Sequence, residues 1–153
     1  MKIKIDYQKF KEDVQKLASK IPYGKIGKDG ILDPDYCKYK NIYAIPRGGV
    51  PVALELTKYI YLPLVEKPDK NSLIVDDLVD SGKTIFPYKN DKAVLYLKPD
   101  QKFGPIKNLV YVEKIDGWIE FFYEKTKQDI MGHLERVNEY IKGTLDKGDD
   151  LLC

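Results

Sequence analysis

The segment with the most chemistry in it runs Leu73-Ile74-Val75-Asp76-Asp77-Leu78-Val79-Asp80-Ser81-Gly82-Lys83-Thr84. Its apolar start predicts a buried strand that delivers two carboxylates to its C-terminal end, followed by a turn of small residues. That end of a parallel sheet is where open α/β folds bind ligands. Residues 80–84 offer consecutive backbone N–H groups, the hydroxyls of Ser81 and Thr84, and the Lys83 ammonium. This is what a phosphate cradle needs, with Gly82 letting the backbone come close. Acids beside an anion site make sense when the ligand carries vicinal hydroxyls or magnesium next to its phosphate. Carboxylates accept from ribose hydroxyls and bind hard cations. A strand that merely ended in a polar turn would require neither the acid pair nor the Ser-Gly-Lys-Thr sequence.

Three further stretches carry candidate groups. Tyr43-Ala44-Ile45-Pro46-Arg47-Gly48-Gly49-Val50 places a guanidinium beside two glycine amides, which suits a diphosphate. Taken alone, it also suits a turn before a helix. Tyr96-Leu97-Lys98-Pro99 ends an apolar run on a lysine, and by itself Lys98 reads as a solvated side chain. Trp118-Ile119-Glu120-Phe121-Phe122-Tyr123-Glu124 holds the single tryptophan of the chain. A lone Trp is ordinarily a core residue.

The four pieces, in this order, resemble the type I phosphoribosyltransferases, and are most similar to the bacterial xanthine–guanine (purine) members. The resemblance covers roughly Tyr7 to Glu124, with strong identity only in the stretches quoted. It implies a parallel sheet flanked by helices, and transfer of 5-phosphoribosyl from 5-phosphoribosyl-1-pyrophosphate (PRPP) to N9 of a 6-oxopurine with release of pyrophosphate. It implies Mg2+ as cofactor. Arg47, Gly48 and Gly49 would hold pyrophosphate, Asp76 and Asp77 the ribose hydroxyls, with Asp77 also a metal contact. Asp80, Ser81, Gly82, Lys83 and Thr84 would hold the 5-phosphate. Asp80 would be the general base near purine N7, and Lys98 would contact the 6-oxo group. Trp118 would stack on the base, and the Ile119 backbone would lie at the purine 2-position. Dimers or tetramers are expected from the family.

The sequence departs from the family in three places. The connection Glu66-Lys67-Pro68-Asp69-Lys70-Asn71-Ser72 is too short for the usual mobile lid, so either another segment, such as the 23–40 loop or a neighbouring subunit, closes the site against water, or turnover is poor. After Thr84 only about one helical turn fits before Pro87 ends it. Phosphate binding should therefore rest on local amides, Lys83 and hydroxyls more than on a helix dipole. The aromatic segment also runs on into an expected helix, about 127–142. The short lid motivates an alternative reading, a PRPP- or nucleotide-sensing binding protein with weak or no transferase activity.

The elements that must position these residues follow from periodicity. Phe10, Val14, Leu17 and Ile21 recur at helical spacing after an expected Asp6 N-cap, and Pro22 stops them. Residues 23–40 read as a loop. Ile42–Ile45, Leu62–Val65, Leu73–Val75, Ala93–Leu97 and Leu109–Val112 read as strands, with a helix opening at Pro51. Continuous apolar runs suggest strands covered on both faces, so the fold class is α/β with a parallel sheet. The expected organisation is one domain over 1–153. Its core spans about 7–124, and a C-terminal helix about 127–142 carries the stripe Ile130, Leu134, Val137 and Ile141. Thr126 and Asp129 sit at capping-box spacing. His133 lies off the stripe and reads as solvated or interfacial.

The bulk composition narrows the partners. The chain has 153 residues with 26 basic against 24 acidic, a net charge of +2, which argues against nucleic acid or anionic membrane as partner. The basic residues are nearly all lysine, with only Arg47 and Arg136 as arginines. No apolar run reaches bilayer length, and the N-terminus lacks a signal-peptide pattern. Cys37 and Cys153 have no metal spacing. A cytoplasmic, reduced protein is expected, with PRPP and a purine base as small-molecule partners and a homo-oligomeric state.

Overall fold

Asp6 starts the first helix by accepting a hydrogen bond from the Lys9 amide at 2.8 Å, which satisfies a donor the first turn leaves open. In the computed structural model, which describes residues 2–22, 38–102, 104–124, 138, 139, 141 and 142, this helix α1 covers Tyr7–Lys20. Its stripe Phe10, Val14 and Leu17 is buried. The expected helix over 7–21 differs from it only at the last residue.

A five-stranded sheet follows, built from β2 (Asn41–Ala44), β3 (Leu64–Val65), β4 (Ser72–Val79), β5 (Lys92–Leu97) and β6 (Leu109–Lys114). Its order is β3-β2-β4-β5-β6, and every pairing is parallel. Helix α2 (Gly49–Leu56) begins two residues before Pro51, inside the glycine pair. It packs with α1 and against the same sheet face. That face holds the larger core, including Leu73, Val75, Ala93 and Leu95. The opposite face has a smaller cluster of Ile45, Ile74, Val79, Ile85, Val94 and Leu97, against which Tyr88 and Ile106 pack. Among the described residues this second face is covered by turns rather than helices, because Pro87 follows so soon after Thr84. The architecture is α/β, as the sequence led one to expect.

Two features differ from the sequence reading. The strand predicted as Leu73–Val75 continues through both aspartates to Val79. Also, the described fold reaches further forward than residue 7. Strand β1 (Lys2–Ile5) pairs in parallel with β7 (Trp118–Phe121), setting Lys2 opposite Trp118 and Ile5 opposite Phe121. Ile5 and Phe121 are both buried, and Lys2 pairs with Glu120 at 2.6 Å.

Residues 23–37 of the expected loop, Cys37, Cys153, Thr126, Asp129, Ile130, His133, Leu134, Arg136 and Val137 lie outside the described residues. Of the expected 127–142 helix, residues 138, 139, 141 and 142 are described and are helical. Among the described residues, no helix is long and apolar enough to cross a membrane.

Candidate active site

Strand β4 carries the acid pair through an irregularity in its alternation. Leu73, Val75 and Leu78 belong with the helix-covered core, whereas Ile74 and Val79 belong to the smaller cluster. Regular period-two alternation would place Val79 with Val75, so the pattern slips by one residue between Val75 and Leu78. The aspartates occupy that slip, and β5 follows it in register, with Val75 opposite Ala93 and Val79 opposite Leu97, so the strand twists there without gaining a residue. Asp76 is felt electrostatically by Tyr88, on the small-cluster side. Asp77 accepts a hydrogen bond from the Tyr123 hydroxyl at 2.9 Å, and its amide donates to the Asp76 carboxylate at 2.8 Å.

Burial, and then the charge of Asp77, push the Asp76 carboxyl up to about 8. Burial and Asp77 also hold the Tyr123 phenol far above its usual range, so it remains a proton donor. The site thus resists holding both carboxylates ionised together. A ligand that brings hydroxyl donors or a divalent cation would relieve this.

The Arg47 loop lies directly on this strand end. Ile45 donates its amide to the Val75 carbonyl at 2.9 Å, and Gly49 donates back to Ile45 at 2.9 Å. A Cβ on Gly48 would stand 2.3 Å from Asp77 Oδ2, and one on Gly49 would stand 2.5 Å from the Val75 carbonyl oxygen. Neither contact is possible for a real side chain, so the two glycines allow the loop to reach the acids. The peptide between Pro46 and Arg47 is cis. Arg47 is exposed and makes no ion pair among the described residues.

Beyond Val79 the chain turns through Asp80 to Pro87. Gly82 has φ +90, which an L side chain adopts only with strain. Its carbonyl accepts from Phe86 at 2.9 Å, closing a single turn. The Lys83 amide approaches the Ser81 hydroxyl at 3.3 Å. Lys83 and Thr84 are exposed beside this turn. Gln101 braces it from outside the predicted set. Its Nε2 donates to the Asp80 carbonyl at 3.2 Å and to the Lys98 carbonyl at 2.7 Å.

Asp80, Lys98, Trp118 and Ile119 line one pocket of about 560 Å³, a volume suited to a small ligand. It sits past the carboxyl ends of β4, β5 and β6, and is completed by Leu78, Pro99, Asp100, Lys102, Asp116, Gly117 and Glu124. Trp118 is 71% exposed, so it is not a core residue. The Ile119 side chain is buried, leaving its backbone as the feature that can face a ligand.

The structure thus gathers the predicted residues into two neighbouring groups, Arg47–Gly49 with the acids, and Asp80, Lys98, Trp118 and Ile119 around the pocket. Three contributors escape sequence reasoning. Tyr123 lies within the aromatic stretch, but only the fold brings it to Asp77. Gln101 has no local signal at all. Strand β1 does have one, since Lys-Ile-Lys-Ile alternates with the period of a half-buried strand.

No protein-family model matches the chain, and no curated protein sequence matches it. Solved structures do. A purine phosphoribosyltransferase from Pyrococcus horikoshii Ot3 is similar with a TM-score of 0.59 at 23% identity, over 82% of this chain and 95% of that one. The Helicobacter pylori xanthine-guanine-hypoxanthine phosphoribosyltransferase gives 0.59 at 18% identity, over 89% and 98%. A hypothetical protein from Neisseria gonorrhoeae with bound ppGpp gives 0.58 at 21% identity, over 90% and 98%. The chain has the type I phosphoribosyltransferase fold.

Proposed function

We propose that the protein is a purine-salvage phosphoribosyltransferase, moving the 5-phosphoribosyl group of PRPP to N9 of a 6-oxopurine (guanine, xanthine or hypoxanthine) and releasing pyrophosphate. The observation that carries this reading is the shared pocket of Asp80, Lys98, Trp118 and Ile119 beside the acid pair and the glycine loop. A planar base stacked on Trp118 would present its 6-oxo group to Lys98 and its N7 edge to Asp80. Asp80 would hold the proton that leaves the base as the new bond forms, since a purine anion attacks better than a neutral purine. Lys98 would stabilise negative charge on the oxygen.

Asp76 and Asp77 would accept from the ribose hydroxyls. Amides and hydroxyls of residues 80–84, with Lys83, would hold the 5-phosphate. Arg47 and the amides of Gly48 and Gly49 would hold the departing diphosphate. No group of three or more metal-ligating side chains occurs among the described residues. The acid pair nonetheless suits magnesium, which is held by one or two carboxylates and takes its remaining ligands from substrate phosphates and water. Asp77 would hold it, and the ion when bound would supply neutralisation of the diphosphate charge.

Incubation with PRPP, Mg2+ and each base in turn, following pyrophosphate release, tests the proposal. Release with a 6-oxopurine and none with adenine, uracil or orotate is expected. The second reading is a nucleotide- or PRPP-sensing protein. It is favoured by the six residues, 66–71, that join β3 to β4, and by the similarity to a structure holding ppGpp. PRPP binding without release for any base would favour it.

A further inference from the structure

Tyr123 connects two parts of the site that are otherwise built separately. It lies two residues beyond the end of β7, and β7 begins with Trp118 in the pocket wall. Its ring stacks on Phe121 at 5.1 Å with an interplanar angle of 13°, and meets the Phe10 ring edge-on at 5.8 Å. Phe121 and Phe10 are both buried, so the ring is anchored in the core. Its hydroxyl lies 2.9 Å from Asp77 Oδ2. The backbone of Gly48 sits so close to the same carboxylate that a Cβ there would overlap it. Asp77 is therefore held from two sides, by the Arg47 loop and by Tyr123. A shift of β7 must carry the Phe121–Tyr123 stack with it, and through the hydroxyl it must reach Asp77.

We propose that Tyr123 is a positioning residue: its hydroxyl fixes the Asp77 carboxylate for magnesium-bound PRPP, and its ring ties that carboxylate to the strand carrying Trp118, so that base and PRPP bind interdependently. This rests on the phosphoribosyltransferase reading. Such coupling is reciprocal: whatever factor PRPP adds to base affinity, the base adds to PRPP affinity.

Two variants separate the hydroxyl from the ring. Tyr123→Phe keeps the stack and removes only the donor. Phe121→Leu breaks the stack and keeps the donor. Magnesium-PRPP affinity is read by calorimetry. Affinity for 9-deazaguanine, which cannot accept the ribosyl group at N9, is read by quenching of the single tryptophan. Each is measured with and without the other ligand, beside a melting curve. In Tyr123→Phe, PRPP affinity should fall roughly tenfold, the usual effect of losing a hydrogen bond to a charged group. Base affinity without PRPP should be unchanged, and its enhancement by PRPP lost. In Phe121→Leu, PRPP affinity should persist while the enhancement shrinks. A wild type that binds PRPP, matched by Tyr123→Phe in affinity and enhancement, overturns this inference and leaves the proposed function standing. Enhancement unchanged in Phe121→Leu overturns the role of the ring. A wild type that binds neither ligand overturns both readings.

Discussion

The backbone of Gly48 and the carboxylate of Asp77 are in direct contact: a methyl group on Gly48 would lie 2.3 Å from Oδ2 and 2.6 Å from the carboxyl carbon. Gly48→Ala must therefore displace either the Arg47 loop or the acid. The expected outcome is a loss of magnesium-PRPP affinity of about tenfold or more, with a stability cost of about 1–3 kcal/mol from overpacking. Calorimetric titration together with a denaturant melt checks it. PRPP affinity equal to wild type would show that the contact is irrelevant to the ligand.

Asp80→Asn removes the proposed base and little else, since Asp80 is exposed and its carbonyl contact with Gln101 survives the change. Turnover should fall by about 10²–10⁴-fold, the usual contribution of a positioned general base. PRPP affinity should change by less than about threefold. Steady-state kinetics beside direct binding separates the two, and unchanged turnover sinks the assignment.

Trp118→Ala tests the base cover. The side chain is largely exposed, so folding stability should change by no more than about 0.5 kcal/mol. The KM for the purine should rise roughly tenfold, as expected for losing an aromatic stack worth about 1 kcal/mol or slightly more. A purine KM that does not move would place the base elsewhere.

Asp76 makes stability depend on pH. Its carboxyl is raised from 3.8 to about 8 by burial and by Asp77. The folded protein then binds more protons than the unfolded chain between those values, so its stability must fall as pH rises across them. The Asp76 contribution is fully present below the unfolded value, is lost progressively up to about pH 8, and levels off beyond. Its size is of the order of a few kcal/mol. Asp76→Asn should flatten the profile and be more stable than wild type at pH 8, in ligand-free denaturant melts. Parallel profiles for the two proteins would count against the shift.

Local periodicity carried α1, because Phe10, Val14 and Leu17 share one face and Asp6 caps it within three residues. It carried the sheet strands because their apolar runs are covered on both sides. The acid pair and the small-residue turn were readable because their chemistry is contiguous in sequence. Nothing local reveals the slip in β4, since Asp76 and Asp77 interrupt the apolar pattern at the point where alternation would be counted. Tyr123 and Gln101 act across long sequence separations, on Asp77 and on the Asp80 carbonyl. A lysine-flanked Lys-Ile-Lys-Ile is too short to call without its partner, and its partner is the Trp118 strand.

That pairing also orders events in folding. Most sheet contacts in the fold join strands with short connections, whereas β1 can meet β7 only after the chain between them has closed one long loop. Closing such a loop is entropically costly until the intervening contacts are made. The strand that carries Trp118 should accordingly dock among the last elements. The acid pair and phosphate turn would then take shape before the base cover closes over them.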